Sequence, residues 1–138
     1  MKLAEIISLL ESFAPLSYQE SYDNAGLLIG EEQQEITSAL VTVDVTEEVL
    51  EEATRKGSNL VITHHPLILT GIKKITGKSL PERIIINAIR NGICIYAAHT
   101  NLDNISSGVN ARICEKLGLK KCKILQPVKG ILKKLVTF

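Results

Sequence analysis

The sequence has no tryptophan, and three tyrosines with two phenylalanines bring its aromatic share to only 4%. A chain this poor in rings offers no base-stacking surface and cannot build an aromatic-rich sandwich core. Its interior must rest on Ile, Leu, Val and Ala within a hydrophobic share of 45%. Charge of either sign is not in excess, since sixteen Lys+Arg stand against fifteen Asp+Glu and leave a net +1. With no basic stripe along the chain, nucleic acid is not indicated as a ligand. No apolar run approaches the ~18–20 residues of a membrane span, and the N-terminus lacks the charged, apolar and cleavable succession of a signal peptide. The expectation is a cytoplasmic protein with no membrane partner. The cysteines, Cys94, Cys114 and Cys122, are odd in number and form no Cys-x-x-Cys pair. That argues against a disulfide framework or a zinc knuckle and reads as small buried hydrophobes in a reducing compartment. A Gly-x-Ser-x-Gly elbow and a glycine-rich phosphate loop are both missing, which disfavours the common serine-nucleophile and nucleotide-cradling designs.

Histidine is scarce too, with three in 138 residues, but their placement is regular. Leu60-Val61-Ile62-Thr63 reads as a buried strand that delivers His64-His65-Pro66 to its end. Ile93-Cys94-Ile95-Tyr96-Ala97-Ala98 is a second such strand, ending in His99-Thr100-Asn101-Leu102-Asp103. Every histidine therefore sits just past a strand, where open α/β sheets collect functional groups.

The other elements follow from period and punctuation. Residues 2–13 place Leu3, Ile6, Ile7, Leu10 and Phe13 at helical spacing. Pro15 ends that helix, and a polar loop carrying Glu20, Asp23 and Asn24 leads to a strand, Gly26–Gly30. Ala39–Val43 is a further strand with Asp44 at its end. Thr46 caps a helix over 47–56, and Gly57 stops it. Residues 67–72 are apolar without a clear period, and Lys73, Lys74 and Lys78 lie in the loop beyond. Ser79-x-x-Glu82 is a capping box that opens a helix through Arg90, with Ile84, Ile85, Ala88 and Ile89 as its buried stripe. The stretch 99–105 reads as a loop. Ser106 or Ser107 caps a helix over 108–117, and Cys122–Leu125 and Leu132–Phe138 are the last strand candidates. The length suits one domain, 1–138. Strand–helix alternation implies an α/β fold with a mostly parallel or mixed sheet, helices on both faces, and the polar clusters gathered at the carboxyl ends of the strands.

His64, His65, His99 and Asp103 form a mixed nitrogen and oxygen set of the kind that zinc, manganese, iron or nickel accepts. Adjacent residues of an extended chain point apart, and Pro66 keeps His65 out of the helical region. The two imidazoles are thus expected to diverge and to serve two divalent ions ~3.5–4 Å apart, with Asp103 holding or bridging them, a hydrolytic arrangement. Asn24, Asp44, Thr100 and Asn101 are candidates for contacts to the ligand imidazoles or to substrate. For Asn24 and Asp44 an ordinary turn or cap serves as well.

Taken together, Tyr22-Asp23-Asn24-Ala25-Gly26-Leu27-Leu28-Ile29-Gly30, Val43-Asp44-Val45-Thr46, Thr63-His64-His65-Pro66-Leu67 and Ala97-Ala98-His99-Thr100-Asn101-Leu102-Asp103 resemble, in order, the motifs of the Nif-three-like dinuclear metal-centre family. Its members are often labelled GTP cyclohydrolase I type 2 homologs. The resemblance covers about residues 3–137 and implies His64, His65, His99 and Asp103 as metal ligands in a homo-oligomer, a hexameric ring. Tyr22 stands where the family usually has tryptophan. Family members are about twice as long, and their second half adds a His-x-x-x-Glu to the two-metal site, whereas no histidine follows His99 here. The chain thus corresponds to the N-terminal half of the family fold, as a fragment or a shortened relative, with the second metal site incomplete. Two functions follow as expectations. One is a metal-dependent hydrolase acting on a small molecule or nucleotide. The other is an interaction or regulatory module whose metal is structural or incompletely held.

Overall fold

The structure is a computed structural model and describes residues 1–124. It begins with helix α1 (Leu3–Phe13) and a 3-10 turn (Leu16–Tyr18), then strands β1 (Gly26–Ile29) and β2 (Ala39–Thr42). Helix α2 (Glu47–Lys56), strand β3 (Leu60–Thr63), helix α3 (Leu80–Arg90) and strand β4 (Cys94–Ala97) follow, and then helices α4 (Thr100–Asp103) and α5 (Val109–Lys116). The strands form a four-stranded mixed sheet in the order β1-β4-β3-β2, with β2, β3 and β4 parallel and β1 antiparallel to β4. Among the described residues no helix is long and apolar enough to cross a membrane.

Helices cover both faces of the sheet because its inner strands alternate between two cores. Val61 and Ile95 point to the side of α2 and α3, where they meet Leu50, Ala53, Ile84 and Ala88. Leu60, Cys94 and Tyr96 point to the other side and pack with Leu3, Ile6, Ile7 and Leu10 of α1. An irregularity in the pairing of β1 with β4 between Leu27 and Ile29 turns both Leu28 and Ile29 toward the first core while Leu27 joins the second. Gly30 passes so close to β4 that a Cβ there would lie 2.5 Å from the Cys94 sulfur, in a backbone conformation (φ +126°) that side chains disfavour.

Local signals set the starts of α2 and α3. The Thr46 hydroxyl accepts the Val49 N–H at 3.3 Å and caps α2, which ends at Gly57 with φ +68°. Ser79 caps α3 by accepting the Glu82 N–H at 3.4 Å, but the box does not close reciprocally. The Glu82 carboxylate instead accepts from the Thr76 N–H and hydroxyl and from the Lys78 N–H, folding the preceding loop onto the helix.

Several expectations are corrected. Phe13 and Ile89 are exposed, at the solvent side of their helices. Neither Ser106 nor Ser107 caps α5. Gly108 holds that position because a Cβ there would run into the Leu102 carbonyl oxygen. The stretch after His99 is not a loop but the single turn α4. Cys122–Ile124 is irregular, and Leu132–Phe138 lies outside the described residues. Of the three cysteines expected to be buried, Cys94 is, and burial pushes its thiol up, away from the reactive thiolate, but Cys114 is only partly covered and Cys122 is exposed.

Candidate functional site

Three parallel strands and one antiparallel strand bring four chain segments to one rim. Asp44 follows β2, His64-His65 follows β3 and His99 follows β4, all at carboxyl ends. Asp23 and Asn24 precede β1, and they reach the same rim only because β1 runs antiparallel, with Gly26 opposite Ala97. In a parallel β1 they would lie at the far end of the sheet.

The chain does not stay extended beyond Thr63, and this decides where the two adjacent imidazoles go. The Val43 carbonyl accepts both the Thr63 hydroxyl at 2.9 Å and the His65 N–H at 2.9 Å, while the His64 N–H reaches the Thr42 carbonyl at 3.2 Å. The Thr63 hydroxyl also lies 3.1 Å from the His65 carbonyl, so a bend replaces the pleat. The expected divergence of His64 and His65 is therefore not observed. Their ring centroids are 5.0 Å apart, and both approach His99, at 5.3 Å and 5.7 Å. One ring nitrogen from each of the three histidines lies within 4.8 Å of those of the other two.

Each Nδ1 is engaged by an oxygen. That of His64 lies 2.9 Å from the Ala98 carbonyl, that of His65 lies 2.7 Å from Asp44 Oδ1, and that of His99 lies 2.8 Å from Asp23 Oδ1. A carbonyl or ionised carboxylate only accepts, so each Nδ1 carries the proton. In a neutral imidazole the lone pair then sits on Nε2. Asp103 Oδ1 is 3.8 Å from His64 Nε2, beside the histidine cluster and not within its 4.8 Å set.

Asp23, and not its neighbour Asn24, is the residue of this pair that contacts a histidine. Its side chain is fully enclosed and accepts from His99 Nδ1, the Asn24 N–H, the Thr100 N–H at 3.0 Å and the Thr100 hydroxyl. Burial raises its pKa, but the hydrogen bonds from His99, Thr100 and Asn24 outweigh it and hold the carboxyl below its ordinary value, as the carboxylate. Asn24 turns away and donates to the Ile68 carbonyl at 2.6 Å. The available signal was the pair Asp23 and Asn24 at the start of a glycine-led strand, but its meaning depended on the direction of that strand.

Thr100 and Asn101 are structural supports. The Thr100 hydroxyl also accepts the Glu20 N–H at 2.9 Å. Asn101 is completely buried; its oxygen accepts the His99 N–H at 2.9 Å and its amide donates to the Ala14 carbonyl at 2.7 Å. These bonds fix His99 at the head of α4, and complete burial keeps the Asn101 amide from solvent. Asp44, by contrast, is exposed and accepts from His65 Nδ1.

The family model described as Duf34/NIF3 (NGG1p interacting factor 3) matches residues 1–137. A protein of Clostridium perfringens named GTP cyclohydrolase 1 type 2 homolog is 43% identical over 88% of this chain and 46% of its own. A Bacillus cereus protein related to NIF3 superposes with a TM-score of 0.87 at 42% identity, over 93% of this chain and 35% of that one. Reduced HcgD from Methanocaldococcus jannaschii gives a TM-score of 0.83 at 33% identity, over 91% of this chain and 50% of that one. The chain thus spans about half the length, or less, of these relatives.

Proposed function

Since the chain belongs to the Duf34/NIF3 family, we propose that it holds a divalent metal ion through His64, His65 and His99, with Asp103 at its side, as part of a metal-dependent hydrolase. One observation carries this reading. All three Nδ1 atoms donate to oxygens, so three Nε2 lone pairs remain for a common cation. Asp103 Oδ1 facing His64 Nε2 at 3.8 Å sets two acceptors against each other, an arrangement a cation relieves. Imidazole with carboxylate suits zinc, manganese, iron or nickel. Such an ion supplies Lewis acidity that polarises a substrate oxygen and lowers the pKa of water.

The chain's own residues supply the orientation. Asp23 and the Ala98 carbonyl hold His99 and His64 rigidly from inside the fold, whereas the Asp44–His65 pair is open to solvent and adaptable. A second ion would draw ligands from sequence that the longer relatives carry. Assembly into a homo-oligomeric ring, and a small molecule or nucleotide as substrate, belong to the same proposal.

A second reading is an interaction module with a structural metal. It is favoured by β2, which lies at the edge of the sheet among the described residues, with Val41 76% exposed and Val43 beyond it 57% exposed. Metal content measured alongside hydrolysis of nucleotides and phosphoesters separates the two. Stoichiometric metal with turnover abolished by a chelator supports the hydrolase. Tightly held metal without turnover supports the module, and a protein that takes up no metal overturns both.

A further inference from the structure

The metal reading leaves one charged feature of the same rim unused. The sixteen residues from His64 to Ser79 contain Lys73, Lys74 and Lys78 and no Asp or Glu, in a chain whose charges otherwise nearly balance. All three lysines are exposed. The Lys and Arg ion pairs among the described residues involve Lys56, Arg83 and Arg112, and none of these three. The segment leaves the carboxyl end of β3 at the histidines and enters α3, which returns the chain to parallel β4, so it belongs to the rim where His99 emerges. Asn24 ties it there by donating to the Ile68 carbonyl, next to the aspartate that holds His99. At its other end Glu82 spends its carboxylate on Thr76, Lys78 and Ser79 and so folds the loop without an ion pair to any of its lysines. The result is an anchored loop at this rim whose three lysines form no ion pair among the described residues, on the same side of the sheet as the histidine cluster.

A lysine ammonium is a compact charge with three donors and a common partner of phosphate. The near-neutral composition elsewhere disfavours a polyanion that would need an extended basic track. We infer that Lys73 and Lys74 receive the phosphate of the substrate, which makes the ligand of this rim a phosphate-bearing small molecule. The inference rests on the metal reading for the word substrate, but the lysine contact itself is measurable without metal.

The test is calorimetric titration of inorganic phosphate into the full chain, metal-loaded and metal-stripped. Wild type is compared with the Lys73→Gln/Lys74→Gln double variant and with a Lys120→Gln/Lys121→Gln control, and metal uptake is measured separately for each. The expected result is a loss of about tenfold or more in phosphate affinity for the first variant in both metal states. Its metal uptake stays unchanged, and the control behaves as wild type. Equal affinity in the first variant and wild type, or an equal loss in the control, overturns the inference. Absence of metal uptake with the lysine effect intact overturns only the metal reading. Sedimentation of wild type with phosphatidylserine vesicles, without lysine-dependent binding of free phosphate, assigns the charge to a lipid surface and also overturns it.

Discussion

Replacing Asp23 by asparagine removes one charge and one acceptor at the point where the fold grips His99. The carboxylate accepts from His99 Nδ1 and the Asn24 N–H on Oδ1, and from the Thr100 N–H and hydroxyl on Oδ2. Asparagine has one acceptor oxygen and one NH2 group, so either rotamer sets donors against donors. With the amide toward Thr100, the buried Thr100 N–H loses its acceptor, at a cost of roughly 1–3 kcal/mol in stability. With the amide toward His99, the ring escapes by moving its proton to Nε2 and gives up the lone pair that would meet the metal. Loss of such an orienting partner lowers metal affinity about 10–100-fold, which is ~1.4–2.7 kcal/mol. Asp44→Asn is the internal control, because that pair is exposed and water can replace the carboxylate; it should cost only a few-fold in affinity. Competition for zinc against a chromophoric chelator reads both variants, and urea denaturation reads the stability term. An Asp23→Asn protein that binds zinc within a factor of two of wild type, or that binds it better than Asp44→Asn does, would refute the reasoning.

Three further outcomes follow from other parts of the fold. The Tyr96 hydroxyl is buried with no hydrogen-bond partner among the described residues, so Tyr96→Phe should leave stability unchanged or raise it by up to ~1–2 kcal/mol in a urea melt. Gly108→Ala drives a methyl into the Leu102 carbonyl and toward Ile105; it should destabilise by about 1–3 kcal/mol and increase amide exchange across α4, which carries Asp103. The Glu82 carboxyl is held at about 2, against an ordinary 4.5, chiefly by the Thr76 hydroxyl and N–H and then the Ser79 hydroxyl. A depressed carboxyl stabilises fully above its unfolded value and loses that contribution as pH falls through the folded one. Glu82→Gln should therefore melt below wild type at pH 6, with the gap closing between pH 4.5 and 2.

How far the sequence could be read depended on the range of the forces involved. Helix α2 and strand β3 fall within the bounds expected, because Thr46, Gly57 and the apolar run 60–63 act within a few residues of themselves. Helix α4 was hidden because Asn101 secures its start through Ala14, 87 residues away in sequence, and no local pattern marks such a bond. Asp23 was hidden for a related reason. Its partners His99 and Thr100 are 76 and 77 residues distant and come within reach only through an antiparallel β1. The gathering of His64, His65 and His99 at one rim was legible because strand ends are legible, but the approach of the His64 ring to that of His65 was not. The rule that neighbours in a strand point apart gave way once the Thr42 and Val43 carbonyls bent the chain at Thr63.

The central claim is that His64, His65 and His99 present their Nε2 atoms to one cation. X-ray absorption fine structure on the zinc-loaded full chain tests it most directly. The account predicts imidazole nitrogens in the first shell at ~2.0–2.1 Å, with the imidazole scattering lost in the His64→Ala/His65→Ala/His99→Ala variant. A shell of oxygen alone, or a spectrum unchanged by the triple substitution, would contradict it.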